Sequence, residues 1–183
     1  MTTVFKNALA SNIGIKLVVT AVTPSNPTSG SVTFTFSDQG TAPFINGQTI
    51  FVSGVSVSGY NGTFTVTACT STSVTVTNST TGAATSGTIS LCPLTTNSSA
   101  RTTVIGLSLT NTTSNVLLAS VQLNDTVAGT TAYYVNNIVI PPNTSARVIN
   151  GGERLVLGPS TNVLIWTNQV SSLDLVMSWV EIS

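Results

Sequence analysis

Charge is the scarcest feature of this chain. Five of its 183 residues are Lys or Arg and five are Asp or Glu, so charged residues make up 5% and the net charge is zero. A typical globular domain has about 25% charged residues. Five scattered basic residues provide no electrostatic footprint for phosphates, so we expect no nucleic acid partner. A surface with so little self-repulsion favours association.

Histidine is absent and cysteine is rare. The sequence therefore lacks the commonest general base and the commonest metal ligand. No two of the five carboxylates lie within six residues of each other, and we expect no enzymatic activity, cofactor or metal site. The two cysteines, Cys69 and Cys92, fall in phase with the solvent-facing residues of their strands. We expect free thiols there, and a disulfide between neighbouring strands is the alternative.

Long apolar runs are also missing. The first 14 residues contain Lys6 and no continuous apolar stretch, so we expect no signal peptide. The 62 residues between Asp38 and Arg101 carry no charge, but Thr, Ser, Asn and Gly interrupt them throughout. We therefore expect no membrane span.

The dominant pattern is an alternation of apolar residues with Thr or Ser. Val32, Phe34 and Phe36 alternate with threonines, and similar short runs recur along the chain between Gly- and Asn-containing turns. No helical stripe of ten residues is present. Short half-buried strands at this spacing predict an all-β sandwich or barrel.

The last predicted strand, residues 172–182, is apolar on both faces. A strand of this kind needs cover on both sides, which either another part of the chain or another subunit supplies. Its apolar residues are therefore the candidate interface residues. On one face these are Leu173, Leu175, Met177 and Trp179; on the other they are Val176, Val180 and Ile182.

Aromatic residues are few, and they define the second candidate site. Binding of a polysaccharide requires exposed aromatic side chains. The candidates for such a glycan contact are Tyr60, Tyr133, Tyr134 and Trp166, and for each of them a place in the core or at a strand end is the alternative.

Four segments of the chain resemble small virion structural proteins of tailed phages, especially cyanobacterial and marine phages. In that family the first two segments are separated by only about a dozen residues, whereas about 85 intervene here. The segments are Thr3–Asn7 through Asn12–Gly14, Arg101–Leu107 with Asn111–Thr113, Gly151–Leu157, and Val176–Ile182.

The intervening segment resembles a small immunoglobulin-like module of phage fibres and decorations. Its characteristic parts are Gly47–Gly54, Tyr60–Thr67 and Gly87–Ile89. The two resemblances together imply a jelly-roll-like β-sandwich with an inserted immunoglobulin-like β module. The sandwich would comprise residues 1–20 plus 92–183 and carry the oligomer contacts, and the insert would comprise residues 21–91. A tandem of two domains with its boundary near Pro93 is the alternative.

The resemblance also implies a function. It predicts a non-enzymatic structural protein on the surface of a phage virion, assembled in the host cytoplasm, as a capsid decoration or cement protein or as a fibre or collar component. The expected partners are further copies of the chain, with a trimer favoured, and other virion proteins such as the major capsid or neck proteins. A fibre domain that binds a receptor or polysaccharide is the alternative.

Overall fold

The computed structural model describes residues 2–25 and 30–183, which form strands, turns and a short 3-10 helix at Ser58–Tyr60. This architecture confirms the predicted all-β class. The first seven strands are β1 Thr3–Ile13, β2 Leu17–Ser25, β3 Ser31–Phe36, β4 Thr49–Ser53, β5 Gly62–Cys69, β6 Ser73–Thr77 and β7 Thr88–Thr95. The remaining strands are β8 Arg101–Asn111, β9 Leu117–Asp125, β10 Thr130–Ile140, β11 Ser145–Ile149, β12 Leu155–Leu157, β13 Thr161–Thr167 and β14 Leu173–Ile182.

The strand β3 shows how the alternating pattern produces this structure. Val32, Phe34 and Phe36 are buried, and the threonines between them lie on the opposite face. On that face Thr33 meets Thr75 of β6, with 3.0 Å between their hydroxyl oxygens. Branched side chains at Cβ fit the pleated surface, so Thr33 adds a cross-strand contact while the apolar residues fill the core.

Two antiparallel sheets form the sandwich. Sheet A has the order β1-β14-β8-β11, with β12 also beside β8, and sheet B begins with the order β10-β9-β13-β7. Residues from both sheets belong to one continuous hydrophobic core. The fully buried members from the two sheets include Leu109, Leu173, Met177, Leu117, Ala119 and Ile165.

The first strand of the chain pairs with the last. β1 runs antiparallel to β14 from Thr3 opposite Ile182 to Ala10 opposite Leu175 without interruption. The other edge of β14 pairs with β8, where Leu175 lies opposite Leu109. β14 is therefore an interior strand of sheet A, and β1 is an outer strand.

The segment between β1 and β8 continues sheet B and closes into a ring of six strands. Pairing runs β7-β2-β3-β6-β5-β4 and returns to β7. The ring closes at β4, where Phe51 lies opposite Thr63 of β5 on one side and opposite Ser90 of β7 on the other. An immunoglobulin module has two separate sheets, so this continuous pairing differs from the inserted module that the resemblance implied.

The strand β7 belongs to both parts of the structure. Ile89 pairs with Leu17 of β2 in the ring, and Leu94 pairs with Val163 of β13 in the sandwich. The predicted boundary between residues 91 and 92 falls inside this strand. The division of the chain into two folding units stays a prediction.

Both cysteines are free, but only Cys69 is partly exposed. Cys92 is buried between Phe51 of β4 and Leu164 of β13, and Trp166 packs against this cluster. The expectation that Cys92 faces solvent is wrong because side chains of the neighbouring strands, Phe51 of β4 and Leu164 of β13, pack against the thiol on that face of β7. Burial raises the pKa of the Cys92 thiol to about 11.

Removal of residues 1–18 tests whether β1 is part of the sandwich. It would expose one backbone edge of β14 and remove Ala8, Ala10 and Ile13 from their packing against the core. We expect the C-terminal half to lose its cooperative thermal transition, followed by circular dichroism. If residues 92–183 alone stayed folded with unchanged melting, β1 would not be required.

Thiol labelling tests the burial of Cys92. The thiolate is the reactive form, and burial suppresses it more strongly at Cys92 than at half-buried Cys69. We expect the native protein to react at Cys69 first and the denatured, unreduced protein to titrate two thiols. Equal native labelling rates, or no free thiol after denaturation, would contradict this assignment.

Candidate functional site

The outer face of sheet A, directed away from the core, is rich in exposed apolar side chains. Phe5 lies opposite Val180 and Leu9 opposite Val176, so the ladder between β1 and β14 places all four on this side. Phe5 is 75% exposed, Leu9 72% and Val176 51%. We name this set of residues the apolar face: Phe5, Leu9, Ile105, Val156, Val176, Val180 and Ile182.

Two neighbouring depressions interrupt the apolar face. The larger, of about 480 Å³, lies between Phe5, Ile105 and Val180, with the loop residues Glu153 and Arg154 at its rim. The smaller, of about 250 Å³, lies beside it along β8, and Arg147 of the outer strand β11 contributes to its lining. It forms at Gly106, which has no side chain to fill the space. The apolar face is therefore concave as well as hydrophobic.

Charged groups lie around the apolar face rather than at its centre. On the opposite side of sheet A, Lys6 forms an ion pair with Glu181, with 2.5 Å between Nζ and Oε2. Trp179 donates its Nε1 hydrogen to the other Glu181 oxygen at 3.0 Å. The hydrogen bonds from Lys6 and Trp179 hold the pKa of Glu181 below its usual value. The charges of Lys6 and Glu181 are therefore already paired with each other within the chain.

The structure divides the seven candidate interface residues into two groups. Val176, Val180 and Ile182 belong to the apolar face, with Val176 the most exposed. The other four face sheet B and are at most 7% exposed, so their assignment to an interface is wrong. Alternation along β14 directs every second side chain into the sandwich core, and this group is Leu173, Leu175, Met177 and Trp179.

Sequence reasoning missed the contribution of β1 to this site. The residues of β1 that alternate with those of the apolar face are Val4, Lys6, Ala8 and Ala10. Neither face of this strand is therefore clearly hydrophobic in the sequence. The deciding information is the register, in which Phe5 lies opposite Val180. A pattern within one strand does not contain that information.

A second cluster lies on the outer face of sheet B. Tyr133 of β10 meets Trp166 of β13 edge to face, with ring centroids 6.0 Å apart and an interplanar angle of 67°. The ammonium nitrogen of Lys16 lies 4.6 Å from the centre of the Trp166 ring. Burial lowers the pKa of Lys16. Lys16 occupies one face of Trp166, and Tyr133, which is 51% exposed, is the more accessible residue of the pair.

The other two tyrosines do not join this cluster. Tyr60 is fully buried, and its hydroxyl lies 3.1 Å and 2.5 Å from the carbonyl oxygens of Thr80 and Gly82. Its assignment as a glycan contact is wrong, because these hydrogen bonds let the ring occupy the core. Tyr134 is half-buried and packs against the core.

Two features are absent from residues 2–25 and 30–183: a cluster of metal-ligating side chains and a membrane-spanning helix. In these ranges no three His, Cys, Asp or Glu side chains form a group able to hold a metal ion. The same ranges contain no helix with the length and hydrophobicity needed to cross a membrane.

Comparison with known proteins does not assign a family. No protein-family model matches the chain, and no curated protein matches it. Among solved structures, the infectious bursal disease virus VP2 subviral particle aligns over 98% of this chain and 80% of that chain. The two are 11% identical with a TM-score of 0.17, which is too low to support an argument about fold or function.

Proposed function

We propose that this chain is a non-enzymatic structural protein of a phage virion that assembles through the apolar face of sheet A. Its place would be on the particle surface, as a capsid decoration or cement protein or as a fibre or collar component, after assembly in the host cytoplasm. Its partners would be further copies of itself and other virion proteins such as the major capsid or neck proteins. The observation that carries this proposal is the concave apolar face of sheet A.

Burial of the apolar face in a contact releases a free energy comparable to the cost of association. Complete burial of a Val, Leu or Phe side chain is worth about 1.5–3 kcal/mol. Because Phe5, Leu9 and Val176 are already partly buried in the single chain, further burial of all three is worth roughly 3–6 kcal/mol per copy. Association costs about 4–15 kcal/mol in lost rigid-body freedom. Two such faces in contact gain roughly 6–12 kcal/mol, which is comparable to this cost, so contacts from the neighbouring strands must add to the net stability of a complex.

A trimer is the favoured closure of this assembly. Homo-oligomers usually have closed point symmetry, and the choice of threefold symmetry follows the analogy with fibre and decoration proteins of phage particles. We therefore expect the wild type to contain at least three chains at micromolar concentration. Sedimentation measures this number directly against the chain mass of 18.8 kDa.

The substitution Val176→Asp tests the apolar face. It places a charge at an exposed position of the single chain, so the fold is retained, but burial of that charge in a contact without a partner is costly. We expect sedimentation to find at most two chains per particle, with an unchanged β signal in circular dichroism. Val180→Asp should act in the same direction, although Val180 is less exposed in the single chain.

Val139→Asp is the matched control for Val176→Asp. Val139 is also an exposed strand valine, at 63%, but it belongs to β10 in sheet B. We expect this variant to keep the wild-type assembly. A wild type that is monomeric at micromolar concentration, or equal dissociation of both variants, would exclude the apolar face as the contact.

The pair of Tyr133 and Trp166 supports a second candidate function, binding of a polysaccharide or receptor glycan. The structure brings together two of the four predicted aromatic residues, and the pair includes an exposed ring. Sugar rings pack their apolar faces against such rings, while neighbouring polar groups provide hydrogen bonds. On β9, Gln122 lies opposite Tyr133 and is available for that role.

Glycan-array binding with Tyr133→Ala tests this second function. Loss of the exposed ring should weaken binding about tenfold, equivalent to about 1.4 kcal/mol, whereas Tyr133→Phe keeps the ring and should retain most of the binding. A wild type that binds no glycan, or a Tyr133→Ala variant that binds as well as wild type, would eliminate the glycan site.

A further inference from the structure

The outer edge of β1 is a long unpaired strand edge. Within the described residues β1 pairs with β14 alone, and eight consecutive residues from Thr3 to Ala10 follow a regular register. A long, regular edge presents a row of free backbone donors and acceptors, which is the template for strand addition.

The register identifies which backbone groups are free. Thr2 and Ser183 exchange two hydrogen bonds, at 2.6 and 3.1 Å. In an antiparallel ladder, hydrogen-bonded and non-hydrogen-bonded pairs alternate. Even-numbered residues up to Ala10 therefore bond to β14, whereas the N–H and C=O groups of Phe5, Asn7 and Leu9 point to the open edge.

A comparison with β10 shows that this edge lacks the usual protection. β10 is also an outer strand of 11 residues. Two register shifts interrupt its ladder, and Asn137 has a positive φ of 52°. Such irregularities prevent a neighbouring chain from pairing. The regular part of β1 has no bulge, and the charge of its one ionisable residue, Lys6, is balanced by Glu181.

Space for an added strand lies beside this edge. A groove of about 380 Å³ separates Ala8 and Ala10 from the loop at Asn46–Thr49, and its floor includes Leu91 and Pro93. The small alanine side chains leave the floor open. An added strand would therefore cover apolar surface in the groove as well as forming backbone hydrogen bonds.

We infer that β1 of a second copy binds this edge, antiparallel and centred on Asn7. Phe5 then lies opposite the partner's Leu9, and Asn7 lies opposite the partner's Asn7. The register also places the partner's Val4 opposite Ala10, above the groove. Val4 is 40% exposed in the single chain, so this contact would bury an apolar side chain that its own fold leaves in water.

Lys6 disfavours one of the neighbouring registers, the one centred on residue 6. With the pair centred on Asn7, Lys6 lies opposite the partner's Ala8. A shift of the centre to residue 6 would place Lys6 directly opposite the partner's Lys6, and like charges in facing positions destabilise a strand pair. Lys6 therefore disfavours one alternative register, and the contact of the partner's Val4 with Ala10 above the groove favours the one centred on Asn7.

This twofold contact deepens the proposed function, because it rests on the idea that copies of the chain bind one another. It uses a different part of the surface, however, since the edge is made of backbone groups and the apolar face of side chains. Combined with threefold closure, it produces assemblies with an even number of chains.

Disulfide trapping with Asn7→Cys tests the register, in a Cys69→Ser background that removes the half-exposed native thiol. In a hydrogen-bonded antiparallel pair the Cα atoms lie about 5.5 Å apart, which is within the range for a disulfide. We expect most Asn7→Cys chains to form a covalent dimer on mild oxidation. The control Thr3→Cys lies on the same strand but not at the centre, and should stay monomeric on a non-reducing gel.

A mixture of two variants checks the same register independently. Phe5→Cys and Leu9→Cys should each fail to link alone and should link when mixed, because Phe5 lies opposite the partner's Leu9. If Asn7→Cys does not link, or if Thr3→Cys links equally well, the inferred pairing is wrong.

Residue-resolved hydrogen exchange provides a test without substitution. The amides of Lys6 and Ala8 bond to β14 and should exchange slowly at any concentration. Those of Phe5, Asn7 and Leu9 should be protected in the assembly and lose protection on dilution. Equal behaviour of the two sets on dilution would overturn the inference.

These experiments distinguish a contact through the edge of β1 from a contact through the apolar face. Linking of Asn7→Cys together with an unchanged mass of Val176→Asp would support the edge and reject the face. The absence of linking, together with dissociation of Val176→Asp, would support the face and reject the edge.

Discussion

The pairing of β14 on both of its edges is the constraint from which the rest of the structure follows. β1 and β8 satisfy the backbone of β14 on either side, so the strand meets other parts of the molecule only through its two faces. Alternation then forces one set of apolar side chains into the core and the other set, with Val176 the most exposed, to the outside. The first set stabilises the single chain. The second set is only partly covered within the described residues, and it defines a surface suited to association.

Because the chain has few charges, the structure of its strand edges decides where another chain can pair with it. Charged side chains are a common protection against unwanted strand pairing, and this sequence has very few. The ring protects its strands by pairing them continuously, and β10 is protected by its two register shifts. β1 has neither protection over Thr3–Ala10. The unprotected edge and the apolar face thus meet on the same strand, which concentrates the tendency to associate in one region of the molecule.

Local patterns predicted strands well and strand partners poorly. The alternation of Val32, Phe34 and Phe36 with Thr correctly indicated a half-buried strand, and the two apolar faces of β14 were recognised in their correct phases. The alternation of residues along β7 did not show that Cys92 is covered by Phe51 and Leu164, since this cover comes from strands distant in sequence. The ring was missed for the same reason, because its closure depends on β4 pairing with both β5 and β7.

The edge and the apolar face share residues but respond to different substitutions. At odd-numbered positions of β1 the side chain belongs to the outer face, while the N–H group points to the open edge. A polar residue at Phe5 would therefore weaken the face and leave the backbone donors in place. A proline at Asn7 would remove one edge donor without taking a hydrogen bond from β14, since proline is tolerated where the N–H faces solvent. At Ala8, a proline would instead remove a bond to β14 and destabilise the fold itself. The register between β1 and β14 thus determines whether a substitution in β1 affects folding, the contact through the apolar face or the contact through the strand edge.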